Sequence, residues 1–188
     1  VLGFAFKSTD FIDKGIPVIK IANVSHGEFT WKQQEYLQNY FLNNYVNFQV
    51  TPNTLLLALT RPITDNNVKA CLYPLNAPIG LLNQRVAALK PYKGCLQEFL
   101  LYFIQSSFFR YQVENGLSET LQPNLSPQNL KKFIIPLPPL NEQRRLVAKI
   151  ESLKARTARV FESLSTIPAL LDQFRQSVLA AAFRGALT

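Results

Sequence analysis

Residues 137–188 read LPPLNEQRRLVAKIESLKARTARVFESLSTIPALLDQFRQSVLAAAFRGALT, and this stretch decides the fold. Pro136, Pro138 and Pro139 favour an extended approach, because each ring fixes φ and restricts the residue before it. Asn141 is expected to cap a helix, with Glu142 in the first turn facing the positive end of the dipole. Apolar residues then step by four and three: Leu146, Ile150, Leu153, Thr157, Val160, Leu164, Ile167, Leu171, Phe174, Val178 and Ala181, with Thr157 the polar exception. A stripe this narrow and this long is a coiled-coil seam, which needs a partner helix. Ser165-Thr166-Ile167-Pro168 holds a capping pair before a proline, so the helix is expected to kink or restart there. The spacing passes through Pro168 in register, which predicts two collinear or gently angled pieces, 141–164 and 168–184, stopped by Gly185. A hairpin folding back at Pro168 is the alternative.

The 188 residues leave room for one ordinary domain beside this arm, and 47% apolar content is enough for a core. The formal net charge of +8 makes nucleic acid a candidate partner, but the charge is uneven. Residues 1–130 hold ten Lys/Arg against eight Asp/Glu, a net +2, and residues 131–188 hold ten against four, a net +6. Cys71 and Cys95 lack metal-type spacing and fit a reduced, cytoplasmic protein. No run approaches a membrane span and no leader is visible. Met is absent even at position 1, so a chain lacking its natural start is expected.

Along the chain, Ile16, Val18, Ile19 and Ile21 are strand formers, with Pro17 tolerated at the start of the strand. His26-Gly27 marks a turn, with His26 read as solvated. Residues 31–45 are polar-aromatic and suit a short helix or an irregular surface. Residues 48–59 alternate and then turn continuously apolar, a buried strand bounded by Pro52-Asn53. Residues 60–67 form a polar loop, and 68–73 and 79–90 are further strands. The latter contains Asn83-Gln84-Arg85, side chains with the forked geometry that reads base edges. On the triplet alone, decoration of a solvent-facing strand end is the better reading. Residues 98–115 predict one amphipathic helix closed by Gly116. Ser126 and Pro127 start another, and 133–136 a short strand. The fold class is α+β: a β-rich domain over 1–136, then a helical arm over 137–188.

Three stretches now carry a resemblance: Gly15-Ile16-Pro17-Val18-Ile19-Lys20-Ile21; Leu57-Ala58-Leu59-Thr60-Arg61-Pro62-Ile63 with Leu82-Asn83-Gln84-Arg85-Val86-Ala87; and Asn124-Leu125-Ser126 through Pro138-Pro139-Leu140-Asn141-Glu142-Gln143. With the end of the chain, residues 174–188, they resemble the specificity subunits of type I restriction–modification systems. That resemblance implies a target recognition domain reading one half of a split DNA sequence. It also implies helices that pair antiparallel, set the distance between the halves and dock methyltransferase and restriction subunits. Full-length members carry two such domains and two helical regions. This chain is therefore expected to be half of a longer subunit or a short form that dimerises. No catalytic residue, cofactor or metal is implied, and the chain lacks an Asp/Asn-Pro-Pro-aromatic motif, a Gly-rich phosphate loop and an Asp…Glu-x-Lys cluster. The resemblance moves Arg61, Asn83, Gln84 and Arg85 to the DNA-facing side, with Lys7, Ser8, Lys20 and Thr64 as weaker candidates. A coiled-coil adaptor binding protein, and a recognition domain cut from a fused restriction–methylation enzyme, are the alternatives.

Overall fold

The computed structural model describes residues 1–118 and 123–185, which fall into two compact units, Val1–Arg144 and Arg145–Thr188. The first unit is built around β4 (Leu55–Ala58), the apolar run that the sequence marks as a buried strand. It pairs antiparallel with β7 (Ala70–Leu72) on one side and β9 (Val86–Leu89) on the other. The pleat turns Leu55, Leu57 and Leu59 toward α2 (Gln97–Ile104) and α3 (Ser107–Gly116), where they meet Leu100, Ile104, Phe109 and Val113. Leu56 and Ala58 face the other way, onto Ile19, Leu82 and Val86. A strand covered on both faces has no polar face to show, which is why its sequence does not alternate.

The second layer is a four-stranded sheet in the order β2 (Glu35–Leu37), β1 (Ile16–Ile19), β8 (Gly80–Leu82), β3 (Gln49–Val50). β1 and β8 run parallel, with Val18 opposite Leu81. The outer side of this sheet is closed by Phe6, Phe41, Tyr45 and Phe48, with Phe41 and Tyr45 stacked at 5.5 Å. Among the aromatics of residues 1–50, Phe6 and Phe41 are therefore core, Phe11, Phe29, Tyr45 and Phe48 pack against it, and Phe4, Trp31 and Tyr40 are exposed. A small hairpin, β5 (Ile63–Thr64) and β6 (Asn67–Val68), turns on Asp65 and Asn66, both at positive φ.

Several expected elements change. Residues 79–90 are not one strand: β8 and β9 belong to different sheets, and Asn83-Gln84-Arg85 is the turn between them. Residues 31–45 hold β2 as well as a short helix, α1 (Tyr40–Asn44), and 60–67 are largely hairpin rather than loop. The helix expected over 98–115 breaks at Ser106, whose hydroxyl caps α3 by accepting from Phe109 N at 3.2 Å. The cap of α4 (Pro127–Leu130) is as expected, with Ser126 accepting from Asn129 N at 3.1 Å. Residues 133–136 form no strand. The Gln112 side chain takes the place of a neighbouring strand, donating to Ile134 O at 3.0 Å and accepting from Ile134 N at 2.7 Å.

α5 (Leu140–Ser165) starts one residue before Asn141, with Pro139 O accepting from Glu142 N at 2.9 Å and Gln143 N at 3.1 Å. Asn141 instead accepts from Arg144 at 3.2 Å. α6 (Ile167–Phe183) follows after Thr166 alone. Ser165 and Thr166 donate back to Glu162 O and Ser163 O rather than capping, a bond pattern that bends helices. A hairpin would have covered the seam. Leu153, Leu164, Leu171 and Phe174 are instead 48–65% exposed, so the helix does not fold back at Pro168. Leu146 and Ile150 are half-buried, and Val160, Ile167 and Val178 are exposed. Gly185 ends the helix at φ +69°, and the last three residues of the resemblance, Ala186-Leu187-Thr188, lie outside the described residues. Among the described residues no helix is long and apolar enough to cross a membrane.

Candidate nucleic-acid interface

Strand pairing gathers residues far apart in sequence at one end of the β7-β4-β9 sheet. Leu59 N, just past β4, donates to Arg85 O at 2.9 Å, so Arg61 leaves the sheet where Arg85 enters it. On the opposite side Ala58 N donates to Lys69 O at 3.0 Å, and Lys69 N donates to Pro62 O at 2.7 Å. Lys69 precedes β7 by one residue, so three strand ends bring three cations together. Burial, and then the Arg61 guanidinium, push the Lys69 ammonium below its ordinary value. Arg61 sits at φ +46°, an unusual conformation for a bulky residue, and is held there by Arg61 N donating to Pro123 O at 2.8 Å.

The Asn83-Gln84-Arg85 turn borders this end and joins it to the second sheet. Asn83 N donates to Ile19 O at 3.0 Å, Gln84 N to Phe4 O at 3.0 Å and Val86 N to Asn83 O at 3.0 Å. The Asn83 side chain closes the turn by accepting from Arg85 N at 3.3 Å. Gln84 and Arg85 are exposed and keep their side chains outside the described hydrogen bonds. A Cβ on Gly3 would overlap the Asn83 carbonyl, so only glycine lets the N-terminal segment approach this turn.

The remaining candidates divide. Lys20 follows β1 and is brought to the turn by the bond from Asn83 to Ile19, but its Nζ is paired with Glu35 Oε1 at 2.7 Å. Thr64 is half-buried, its hydroxyl 3.0 Å from His26 Nε2. His26 is thus not the solvated turn residue expected; its backbone bridges Ala70, and Gly27 N donates to Ala70 O at 2.8 Å. Lys7 and Ser8 stand apart, with Lys7 O accepting from Asp10 N and Ser8 O from Phe11 N around a short 3-10 helix. Sequence reasoning missed Lys69 and His26. Their one signal is pairing register, which the linear chain does not display. Arg110, also missed, donates to Asn66 O at 2.7 Å and steadies the β5–β6 turn.

Chemically, this end offers fixed cations for phosphate oxygens and, in Gln84 and Arg85, forked donors for base edges. The backbones of Arg61, Lys69 and Arg85 are tied to this end of the sheet by hydrogen bonds, which suits register on a duplex.

A family model described as "Type I restriction modification DNA specificity domain" matches residues 3–164. The chain is 32% identical over 152 residues to the EcoAI specificity subunit of Escherichia coli, covering 80% of this chain and 26% of that protein. It is 31% identical over 189 residues to the Escherichia coli EcoBI specificity subunit, covering 99% and 36%. The chain therefore spans about a quarter to a third of the length of these curated relatives. The solved HsdS subunit from Thermoanaerobacter tengcongensis superposes with a TM-score of 0.67 at 22% identity, over 98% of this chain and 42% of that one. At that identity the likeness speaks for the fold.

Proposed function

The chain belongs to the type I restriction–modification DNA specificity domain family, and we propose that it reads one half of a bipartite duplex target through the cationic end of its β7-β4-β9 sheet. The observation that carries this reading is the convergence of Arg61, Lys69 and Arg85 from three strand ends beside the exposed Gln84. Arg61 and Lys69 position the phosphate backbone, while Gln84 and Arg85 reach base edges. Asn83 acts by shaping the turn. Lys20 contributes through its backbone more than its charge, since that charge is matched by Glu35. Thr64 and His26 brace the rim, and Lys7 and Ser8 are secondary phosphate contacts.

Residues 1–136 form the recognition domain and 137–188 the helical region. The seam from Leu146 to Val178 pairs with a second helix, from another copy or from the rest of a longer subunit. Its support is the exposed apolar stripe, with Leu153, Leu164, Leu171 and Phe174 at about half or more of their surface. The methyltransferase and restriction subunits of a type I system are the assembly partners, and the chain itself performs no catalysis. The setting is the cytoplasm, where the substrate DNA lies. The test is duplex binding across a salt series: log affinity should fall steeply with log salt, and one sequence should outcompete scrambled duplex. Binding with no preference among sequences would remove the recognition role.

A further inference from the structure

The arm, residues 137–188, holds eight Lys/Arg against four Asp/Glu, and this +4 is not spread evenly around it. Arg145, Lys149, Arg156 and Arg159 step by four, seven and three, and each immediately precedes a seam position: Leu146, Ile150, Thr157 and Val160. Four cations therefore line one flank of the seam. On this flank the one carboxylate is Glu142, in the first turn before the row, and the other carboxylates of the arm are elsewhere. Glu151 and Asp172 each follow a seam residue and so lie on the opposite flank, and Glu162 is on the face turned away from the seam. Lys149, Arg156 and Arg159 are exposed, and none is in an ion pair among the described residues. Like charges at helical spacing repel, so this row disfavours the helix that carries it.

A second copy does not supply the missing negative charge. When two identical helices pair antiparallel about a two-fold axis, the same flank of each faces the other, and from Arg145 to Ala180 that flank holds no carboxylate. An external polyanion matches a row of cations at this spacing. We infer that Lys149, Arg156 and Arg159 form a phosphate-binding stripe on α5 that grips the backbone of duplex DNA without reading its sequence. The stripe from Lys149 to Arg159 is ~15 Å long, and a duplex carries one negative charge per ~1.7 Å of its axis, so that length of DNA offers about nine charges. This rests on the proposed recognition of DNA and adds a contact outside the half-site.

The test compares the full chain with the triple variant Lys149→Gln, Arg156→Gln, Arg159→Gln and with a control, Lys154→Gln, Arg175→Gln, that removes two cations from the opposite flank. Glutamine is a good helix former, so circular dichroism should be unchanged. For the triple variant the slope of log affinity against log salt should become shallower by about 2–3, with the preference for target over scrambled duplex preserved. The control should keep the parent slope. An unchanged slope in the triple variant, an equal loss in the control, or a lost sequence preference would each overturn the stripe while leaving half-site recognition standing. A parent chain that shows no sequence preference would instead remove the recognition reading, and the stripe with it.

Discussion

Leu59 N donates to Arg85 O at 2.9 Å, and that bond aligns the exit of β4 with the start of β9. It brings Arg61, two residues past Leu59, to the same end of the sheet as Arg85 although 24 positions separate them in sequence. The two arginines should nevertheless behave differently. Arg61 acts on the Lys69 ammonium, and on the proposed phosphate role Arg61→Ala should weaken all duplexes alike and make the salt slope shallower by about one. Arg85→Ala should relax preference at one base pair, costing ~1–3 kcal/mol on the target and little on scrambled DNA. Competition titrations at two salt concentrations distinguish the two patterns.

Lys69 is pushed down by burial and by Arg61. Its charge is therefore lost at lower pH than that of an ordinary lysine, and a bound phosphate restores it. Affinity for duplex should decline on the alkaline side sooner than in Lys69→Arg, whose guanidinium stays charged. Parallel pH profiles of the two proteins would refute a phosphate contact at Lys69.

Cys71 and Tyr73 lie under the same strand, and burial raises both, Cys71 from 9.0 to about 12 and Tyr73 from 10.0 to about 12. An acid held above its unfolded value keeps its proton more tightly in the fold. Its contribution is therefore complete below the unfolded value and is lost as pH rises toward the folded one. Stability should hold to about pH 9 and fall between pH 9 and 12, with Cys71→Ala reducing the slope. Urea midpoints across that window measure it.

Gly3 and the Asn83 carbonyl occupy neighbouring space, so Gly3→Ala should displace the Asn83–Arg85 turn without disturbing β4. Sequence preference should drop while the unfolding midpoint changes modestly. A fully preserved preference would show that the turn does not read DNA.

The arm makes a separate prediction. Leu153→Ala and Leu164→Ala should each weaken helix pairing by ~2–5 kcal/mol if the side chains are fully packed against a partner helix. Sedimentation of the parent chain as a monomer at high concentration would contradict pairing with a second copy.

Where the sequence was legible, one local signal sufficed. The run around β4, the Ser126-Pro127 cap and the helices of the arm are each visible because burial, capping and helical period act over a few residues. The candidate site is legible only in part. A family likeness singles out Arg61 and Arg85, and the apolar residues on both sides of Asn83-Gln84-Arg85 make it read as strand and conceal a switch between sheets. Lys69 and His26 escaped because only the register of β4 with β7, and the bridge from His26 to Ala70, bring them to the same end. Residues 133–136 looked like a strand, but their partner is the side chain of Gln112, for which no pattern in the chain gives warning.

The most direct measurement is selection of bound sequences from a random duplex library, run with the parent chain and with Gln84→Ala, Arg85→Ala together. The parent should enrich a short half-site, singly or as an inverted repeat with an unread spacer. The double variant should enrich the same half-site with one or two positions relaxed. If the parent enriches nothing, or both proteins enrich an identical site, the cationic end of the β7-β4-β9 sheet is not where this chain reads DNA.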